Sequence, residues 1–89
     1  MLDISKHVQR FLQNLRQPKQ YKQIASKIFA LLKDSTPPDA KHLSGYPGYF
    51  RVDSGEYRIV YRPDNTVIKI VLVGKRNDDE VYKEMRRVL

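Results

Sequence analysis

The sequence predicts an α+β fold: an N-terminal helical hairpin packed on a small antiparallel β-sheet of meander order, with a short C-terminal helix. Three observations predict it. Apolar residues recur at helical spacing through the first third of the chain. After Gly45 the pattern changes to alternation and continuous apolar runs. The turns between those later segments are short, which suits antiparallel neighbours.

Met1 to Ile4 is a short lead. Ile4, Val8, Phe11, Leu12 and Leu15 then mark one face of an amphipathic helix, with Asp3 or Ser5 as N-cap. Pro18 interrupts that pattern and suits the first turn of a second helix. Its apolar stripe is Tyr21, Ile24, Ala25, Ile28, Leu31 and Leu32. The joint at Gln17-Pro18 makes the two helices an antiparallel hairpin. Thr36-Pro37-Pro38 ends the second one.

Tyr49 to Asp53 is rich in aromatic and β-branched residues and predicts a strand, followed by a tight turn at Ser54-Gly55. From Glu56 to Arg62 the residues alternate. Tyr57, Ile59 and Tyr61 lie on one face, and Arg58, Val60 and Arg62 on the other. Pro63-Asp64-Asn65-Thr66 reads as a second turn. Val67 to Val73 is an apolar strand broken only by Lys69. Asn77-Asp78-Asp79 offers N-caps for a last helix that buries Val81, Met85 and Val88 or Leu89. The two long helices are expected to cover one sheet face and leave the other open, with Arg58 and Arg62 on it.

A chain of 89 residues suits one domain spanning 1–89. Its 40% hydrophobic and 30% charged content fits a soluble globular protein. There is no cysteine, which excludes a disulfide framework, a thiol nucleophile and thiolate metal sites. His7 and His42 are far apart in sequence, so neither a metal cluster nor a cofactor is expected. No apolar stretch approaches the roughly 20 residues of a membrane helix. The N-terminus lacks a leader pattern, so a cytoplasmic location without a membrane partner is expected. The net charge of +7 favours phosphate-rich partners or an acidic protein.

The chemistry-bearing residues converge in this topology. Arg58 begins one strand, and Arg76 follows the end of the next. Antiparallel pairing brings both to one sheet edge. Arg51 reaches the same edge through the Ser54-Gly55 turn, and Tyr82 follows on the first turn of the last helix. Singly, such residues are more often solvated or packed. Gathered at one rim, they make a phosphate-binding constellation. His42 reads as a surface histidine. Tyr46, Tyr49 and Phe50 suit base stacking, although strand-region aromatics more often pack a core or an edge.

The ordered segments Ala40-Lys41-His42-Leu43-Ser44-Gly45, Tyr57-Arg58-Ile59-Val60-Tyr61, Val73-Gly74-Lys75-Arg76 and Glu80-Val81-Tyr82 resemble the RelE branch of the RelE/ParE toxin superfamily. Members are toxins of toxin–antitoxin pairs. RelE-type toxins cut mRNA in the ribosomal A site, whereas ParE-type toxins poison DNA gyrase and lack the nuclease residues. The resemblance implies a metal-independent endoribonuclease. Arg58 and Arg76 would stabilise the scissile phosphate. Tyr82 would stack on or orient the nucleotide, or act as base. Arg51 falls where the family often has a lysine, and it joins Lys75, Arg62 and Lys69 as an expected RNA contact. Asp53 falls where relatives have a second lysine, so a negative charge replaces a positive one. Relatives also begin with a full strand. Here the lead leaves room for a stub, which either pairs weakly or leaves the sheet one strand smaller. The implied partners are an acidic RelB-like antitoxin, the ribosome and mRNA.

The implied reaction is attack of a ribose 2′-hydroxyl on the adjacent phosphate. It needs removal of the 2′ proton, neutralisation of the phosphate oxygens and a proton for the leaving 5′-oxygen. The planar arginine fork suits the second task. A phenol is a poor base at its ordinary value of about 10. A cluster of Arg51, Arg58, Lys75 and Arg76 would favour the phenolate. The absence of a positioned histidine pair leads to the expectation of a slow enzyme that relies on the ribosome for orientation. A ParE-like gyrase inhibitor and a catalytically inactive RNA- or ribosome-binding homologue are the alternatives. The Arg58, Arg76 and Tyr82 set speaks for the nuclease, and Asp53 keeps the inactive homologue open.

Overall fold

A computed structural model of the chain describes residues 1–76 and 80–88. The elements run β1 (Leu2–Ile4), α1 (Lys6–Asn14), α2 (Pro18–Lys33), β2 (Lys41–His42), β3 (Phe50–Ser54), β4 (Tyr57–Asp64), β5 (Val67–Lys75) and α3 (Glu80–Val88). The strands form one sheet of order β1-β5-β4-β3-β2. The expected meander is its β3-β4-β5 part. Two short strands extend it: β2 antiparallel on β3, and β1 parallel on β5. The sheet is therefore mixed and five-stranded, within the α+β class that the sequence predicts.

The N-terminal stub does pair. Leu2, Asp3 and Ile4 stand opposite Ile68, Lys69 and Ile70. The terminal ammonium donates to the Thr66 carbonyl at 2.9 Å. Ile4 thus ends a strand rather than beginning a helix. Ser5 is the N-cap of α1: its Oγ accepts from the Val8 N–H at 3.2 Å. The same hydroxyl donates to the Val71 carbonyl at 2.7 Å, which ties the start of α1 to β5. Pro18 opens α2, where its missing N–H costs nothing. Beyond α2, Asp34 Oδ1 accepts from the Thr36 N–H at 3.1 Å, and the Pro37-Pro38 pair follows.

Both hairpins turn on two residues. Ser54 pairs with Tyr57, so the first loop is Gly55-Glu56, one residue later than the sequence suggests. Gly55 has φ +60°, which suits the first position of such a loop. In the second hairpin Asp64 pairs with Val67, so β4 runs through Pro63. A strand tolerates proline there for a simple reason. The closing Asp64–Val67 pair is the hydrogen-bonded kind, so the Pro63 nitrogen points away from β5. On that other side, the pairing of β3 with β4 ends at Tyr61.

The sheet carries a core on each face. On one face α1 and α2 pack Val8, Ile24, Ile28 and Leu31 against Val52, Ile59, Tyr61, Ile68, Ile70 and Val73. On the other, Val81 and Met85 of α3 and Leu43 cover Val60 and Leu72. The second face is therefore not open as expected. Val60 and Leu72 are fully buried and need apolar cover, which α3 and the 43–49 segment supply. Arg62 remains exposed on that face, but the Arg58 side chain is only 17% exposed. Of the residues expected to anchor α3, Val81 and Met85 are buried, Val88 is 43% exposed, and Leu89 lies outside the described residues. The expected caps Asn77, Asp78 and Asp79 also lie outside them.

Tyr61 is the largest fully buried side chain, and its hydroxyl donates to the Ser35 carbonyl at 2.7 Å. Burial, followed by the nearby Asp39 and Asp34 carboxylates, pushes its phenol up to about 12. Tyr61→Phe is expected to cost about 1–2 kcal/mol in urea unfolding, because the Ser35 carbonyl loses its partner. The fold holds this phenol neutral, whereas the unfolded chain ionises near 10. Its contribution is therefore complete below pH 10 and disappears as pH rises toward 12. A stability profile over that window should fall more steeply for the native chain than for Tyr61→Phe. Parallel profiles would refute the assignment.

Candidate functional site

The hairpin register builds the site. With a two-residue loop at Gly55-Glu56, Asp53 and Arg58 become direct cross-strand partners. Next to the closing pair, they take the non-hydrogen-bonded position, where side chains lie closer. On its other side Arg58 stands opposite Gly74. Alternation from Val60 and Leu72 puts Arg51, Asp53, Arg58, Gly74 and Arg76 on the face that α3 covers.

Arg58 Nε donates to Asp53 Oδ1 at 2.9 Å. Arg76 Nη1 lies 3.8 Å from the other oxygen, Oδ2. The Arg76 backbone N–H donates to the Glu56 carbonyl at 3.1 Å, which pins its chain beside the hairpin turn. Two guanidinium groups thus converge on one carboxylate at the end of the central strands. A carboxylate offers such groups the same pair of oxygens that a phosphate does. Arg51 lies two residues before Asp53, and its Nε is buried without a hydrogen-bond partner among the described residues. Helix α3 packs closely over the strand end: a Cβ at Gly74 would touch Val81 Cγ1 at 3.4 Å, at ordinary van der Waals distance.

Tyr82 sits on the first turn of α3 and packs against the cluster of Leu43, Val60 and Leu72. Its hydroxyl accepts from the Ser44 N–H at 3.2 Å. The backbone of the segment after β2 holds the phenol, not an arginine.

The other expected RNA contacts are not gathered here. Lys75 stands opposite Tyr57 on the α1/α2 face, beside His7, Phe11, Glu80 and Glu84. Arg62 and Lys69 are cross-strand partners on the Arg58 face but at its far end. Four residues along β4 separate Arg62 from Arg58, about 13 Å. The Arg62 guanidinium lies 5.6 Å from the centre of the Tyr49 ring, and Lys69 Nζ is 3.6 Å from Asp64. Tyr46 meets Tyr49 edge-on at 6.4 Å. His42 stands exposed on β2, its ring 4.4 Å from that of Phe50. Among the described residues no three of His, Asp and Glu gather as a metal site, and no helix is long and apolar enough to cross a membrane.

The sequence marks Asp53 as a departure but not as the ligand of both arginines. The signal lay in the hairpin arithmetic. A strand-Gly-Glu-strand joint pairs residue 53 with 58, and opposite charges at such a pair attract.

The family profile described as ParE toxin of type II toxin–antitoxin system, parDE, matches residues 2–80. The chain therefore belongs to the RelE/ParE family and is a toxin of a type II toxin–antitoxin system. Among solved structures, a mutant of the Escherichia coli toxin RelE in the free state is similar with TM-score 0.78 and 24% identity. That match covers 100% of this chain and 97% of the relative. RelE in an archaeal RelE–RelB complex from Pyrococcus horikoshii is similar at 0.74 and 26%, over 86% and 94%. The toxin–antitoxin complex RelBE2 of Mycobacterium tuberculosis gives 0.72 and 25%, over 85% and 96%. A comparison with curated protein sequences finds no significant match.

The Asp53–Arg58 contact is half-shielded, with side chains 38% and 17% exposed, so its strength is discounted for solvent screening. A double-mutant cycle of Asp53→Ala and Arg58→Ala on unfolding free energy should give a coupling of about 1 kcal/mol. A coupling indistinguishable from zero would mean that the pair does not form in solution.

Proposed function

We propose that the chain is a ribosome-dependent mRNA endonuclease that cleaves in the ribosomal A site. The observation that carries this reading is the convergence of Arg58 and Arg76 on a single oxyanion seat. The 2′-oxygen attacks phosphorus, the P–O5′ bond breaks, and a 2′,3′-cyclic phosphate and a 5′-hydroxyl result. Arg58 and Arg76 bind the non-bridging oxygens, where charge builds in the transition state. Tyr82 orients the nucleotide or, as the phenolate, accepts the 2′ proton. Water protonates the leaving oxygen, and the hydroxide left behind takes the proton back from the phenol. Arg51 adds positive charge beside the seat. Arg62, Tyr49 and Lys69 contact RNA beyond it. The toxin works in the cytoplasm, where ribosomes and messages are.

An acidic RelB-like antitoxin is the proposed inhibitor. The relatives from Pyrococcus horikoshii and Mycobacterium tuberculosis are seen in complex with their antitoxins, and a net charge of +7 suits an acidic partner. A second reading, a non-nucleolytic ParE-like toxin that binds gyrase, has two observations in its favour. The matching family profile is that of ParE toxins, and the arginine seat already holds a carboxylate.

Primer extension on a defined mRNA with purified ribosomes tests the choice. The native chain should produce A-site breaks. Arg58→Ala should lower them by about 10²-fold, on the scale of a lost oxyanion donor. Tyr82→Phe should lower them if the phenol carries the proton, and leave them if it only stacks. No breaks from folded protein, together with inhibition of gyrase supercoiling, would replace the nuclease reading with the second one.

A further inference from the structure

We infer that Asp53 is a built-in competitor of phosphate that keeps the arginine seat closed to free RNA. The inference rests on the reading of this rim as the phosphate site, and it adds a positive role for the residue that most weakens that reading.

A carboxylate and a phosphate offer guanidinium groups the same pair of oxygens, so one arginine fork cannot serve both fully. Asp53 Oδ1 takes the Arg58 Nε–H at 2.9 Å, and Oδ2 faces Arg76 at 3.8 Å. Asp53 is held there from both sides. It is a direct β3–β4 partner of Arg58, and the Arg76 backbone is fixed to Glu56 in the adjoining turn. The competitor is therefore attached at high effective concentration, and an incoming phosphate must displace it. Displacement is feasible because the Asp53 side chain is 38% exposed and can turn out to water without leaving a buried charge unpaired. Arg76, 57% exposed, is the more accessible of the two guanidiniums and would meet RNA first.

Two consequences follow. Free single-stranded RNA binds weakly, because each captured phosphate replaces an existing ion pair rather than filling an empty site. The seat opens where RNA is delivered and held by something else, since proximity then offsets the cost of displacement.

The test measures binding, not cleavage. The probe is a 2′-O-methyl single-stranded RNA of about ten nucleotides, which lacks the attacking hydroxyl. Its Kd is measured against salt for the native chain, Asp53→Asn, and Asp34→Asn as a charge-matched control. Asp34 is exposed at the C-cap of α2, on the side of the sheet away from Arg58, and asparagine keeps the oxygen that accepts from the Thr36 N–H. Asp53→Asn is isosteric and at a partly exposed position, and Asp53→Ser serves as a second variant should the amide disturb folding. The expected result is binding about five- to tenfold tighter for Asp53→Asn, with the log–log salt slope steeper by about 0.7 per freed cation. Asp34→Asn should change Kd less than about twofold, as a distant screened charge does. In an Arg58→Ala background the gain from Asp53→Asn should shrink sharply. Unchanged or weaker binding by both Asp53 variants would overturn the inference, as would an equal gain from Asp34→Asn. Native-like binding by Arg58→Ala would overturn the phosphate-site reading beneath it. A failure of the nuclease reading alone would leave the tightening in place.

Discussion

The pairing of β4 with β5 is the constraint on which the rest of this structure depends. These central strands are buried on both faces, as the consecutive burial of Ile59, Val60 and Tyr61 requires. A strand of strict period two would keep Ile68, Ile70, Leu72 and Gly74 on one face. Here the register steps from Val60–Leu72 to Tyr61–Ile70, which leaves Val71 as an extra residue. That bulge exchanges the faces along β5. Ile68 and Ile70 point to α1 and α2, while Leu72 packs under α3. The same exchange decides the site. Without it Lys75 would stand with Arg58 and Arg76 would point to the helical hairpin. With it, Gly74 and Arg76 join Arg58, and Lys75 lies beside Tyr57. One inserted residue therefore selects which cation reaches the rim.

This bulge is also where sequence reading stops. Amphipathic stripes, prolines and hairpin turns were legible because each depends on local geometry. The stripe of Ile24, Ile28 and Leu31 faces the core as its spacing requires, and Pro18 opens α2. The run Val67 to Val73 is apolar at nearly every position, so no periodicity in it marks an extra residue. Lys75 was expected among the RNA contacts, and nothing in that run signalled that it would face the helical hairpin instead. The small strands were hidden for another reason. Lys41-His42 is two exposed residues with no apolar pattern, and Leu2–Ile4 pairs only because β5 offers a free edge. Both owe their form to a neighbour, which propensity cannot report. The meeting of the two strand ends at one rim was legible because hairpin connectivity alone requires it, whereas the face that Arg76 takes there depends on the bulge. The cover over Val60 was not, since it depends on the place where α3 folds back.

The electrostatics of the rim are local within a basic chain. A net charge of +7 sets a long-range attraction for phosphate, but it is spread over the surface and screened within about 8 Å at physiological salt. Discrimination must come from short contacts. In several places those contacts are already taken: Lys27 by Asp39 at 2.6 Å, Lys69 by Asp64 at 3.6 Å, and Arg58 by Asp53. Only the last joins one carboxylate to two cations, with Arg76 on its second oxygen. The surface thus attracts polyanions generally, while the seat where two guanidinium forks converge among the described residues is occupied from within.

Helix α3 connects that seat to the core. Val81 and Met85 anchor it over Val60 and Leu72, and Glu84 meets His7 Nε2 of α1 at 3.4 Å. Tyr82 lies between the two anchors in sequence, and its hydroxyl is fixed by the Ser44 amide. The phenol is therefore placed by apolar packing and a backbone donor, whereas Arg58 and Arg76 are placed by strand register and a carboxylate. Among the described residues, the two halves of the site share no polar contact that would force them to move together. They share the cluster beneath them, since Val60 follows Arg58 by two residues on β4 and Leu72 precedes Gly74 on β5. Any change that loosens the packing of Met85 on that cluster must shift the phenol relative to the arginines, while a change at Asp53 must shift the arginines alone. The geometry of the rim is thus controlled by two independent supports, one hydrophobic and one ionic, and only the ionic one lies within reach of an incoming phosphate.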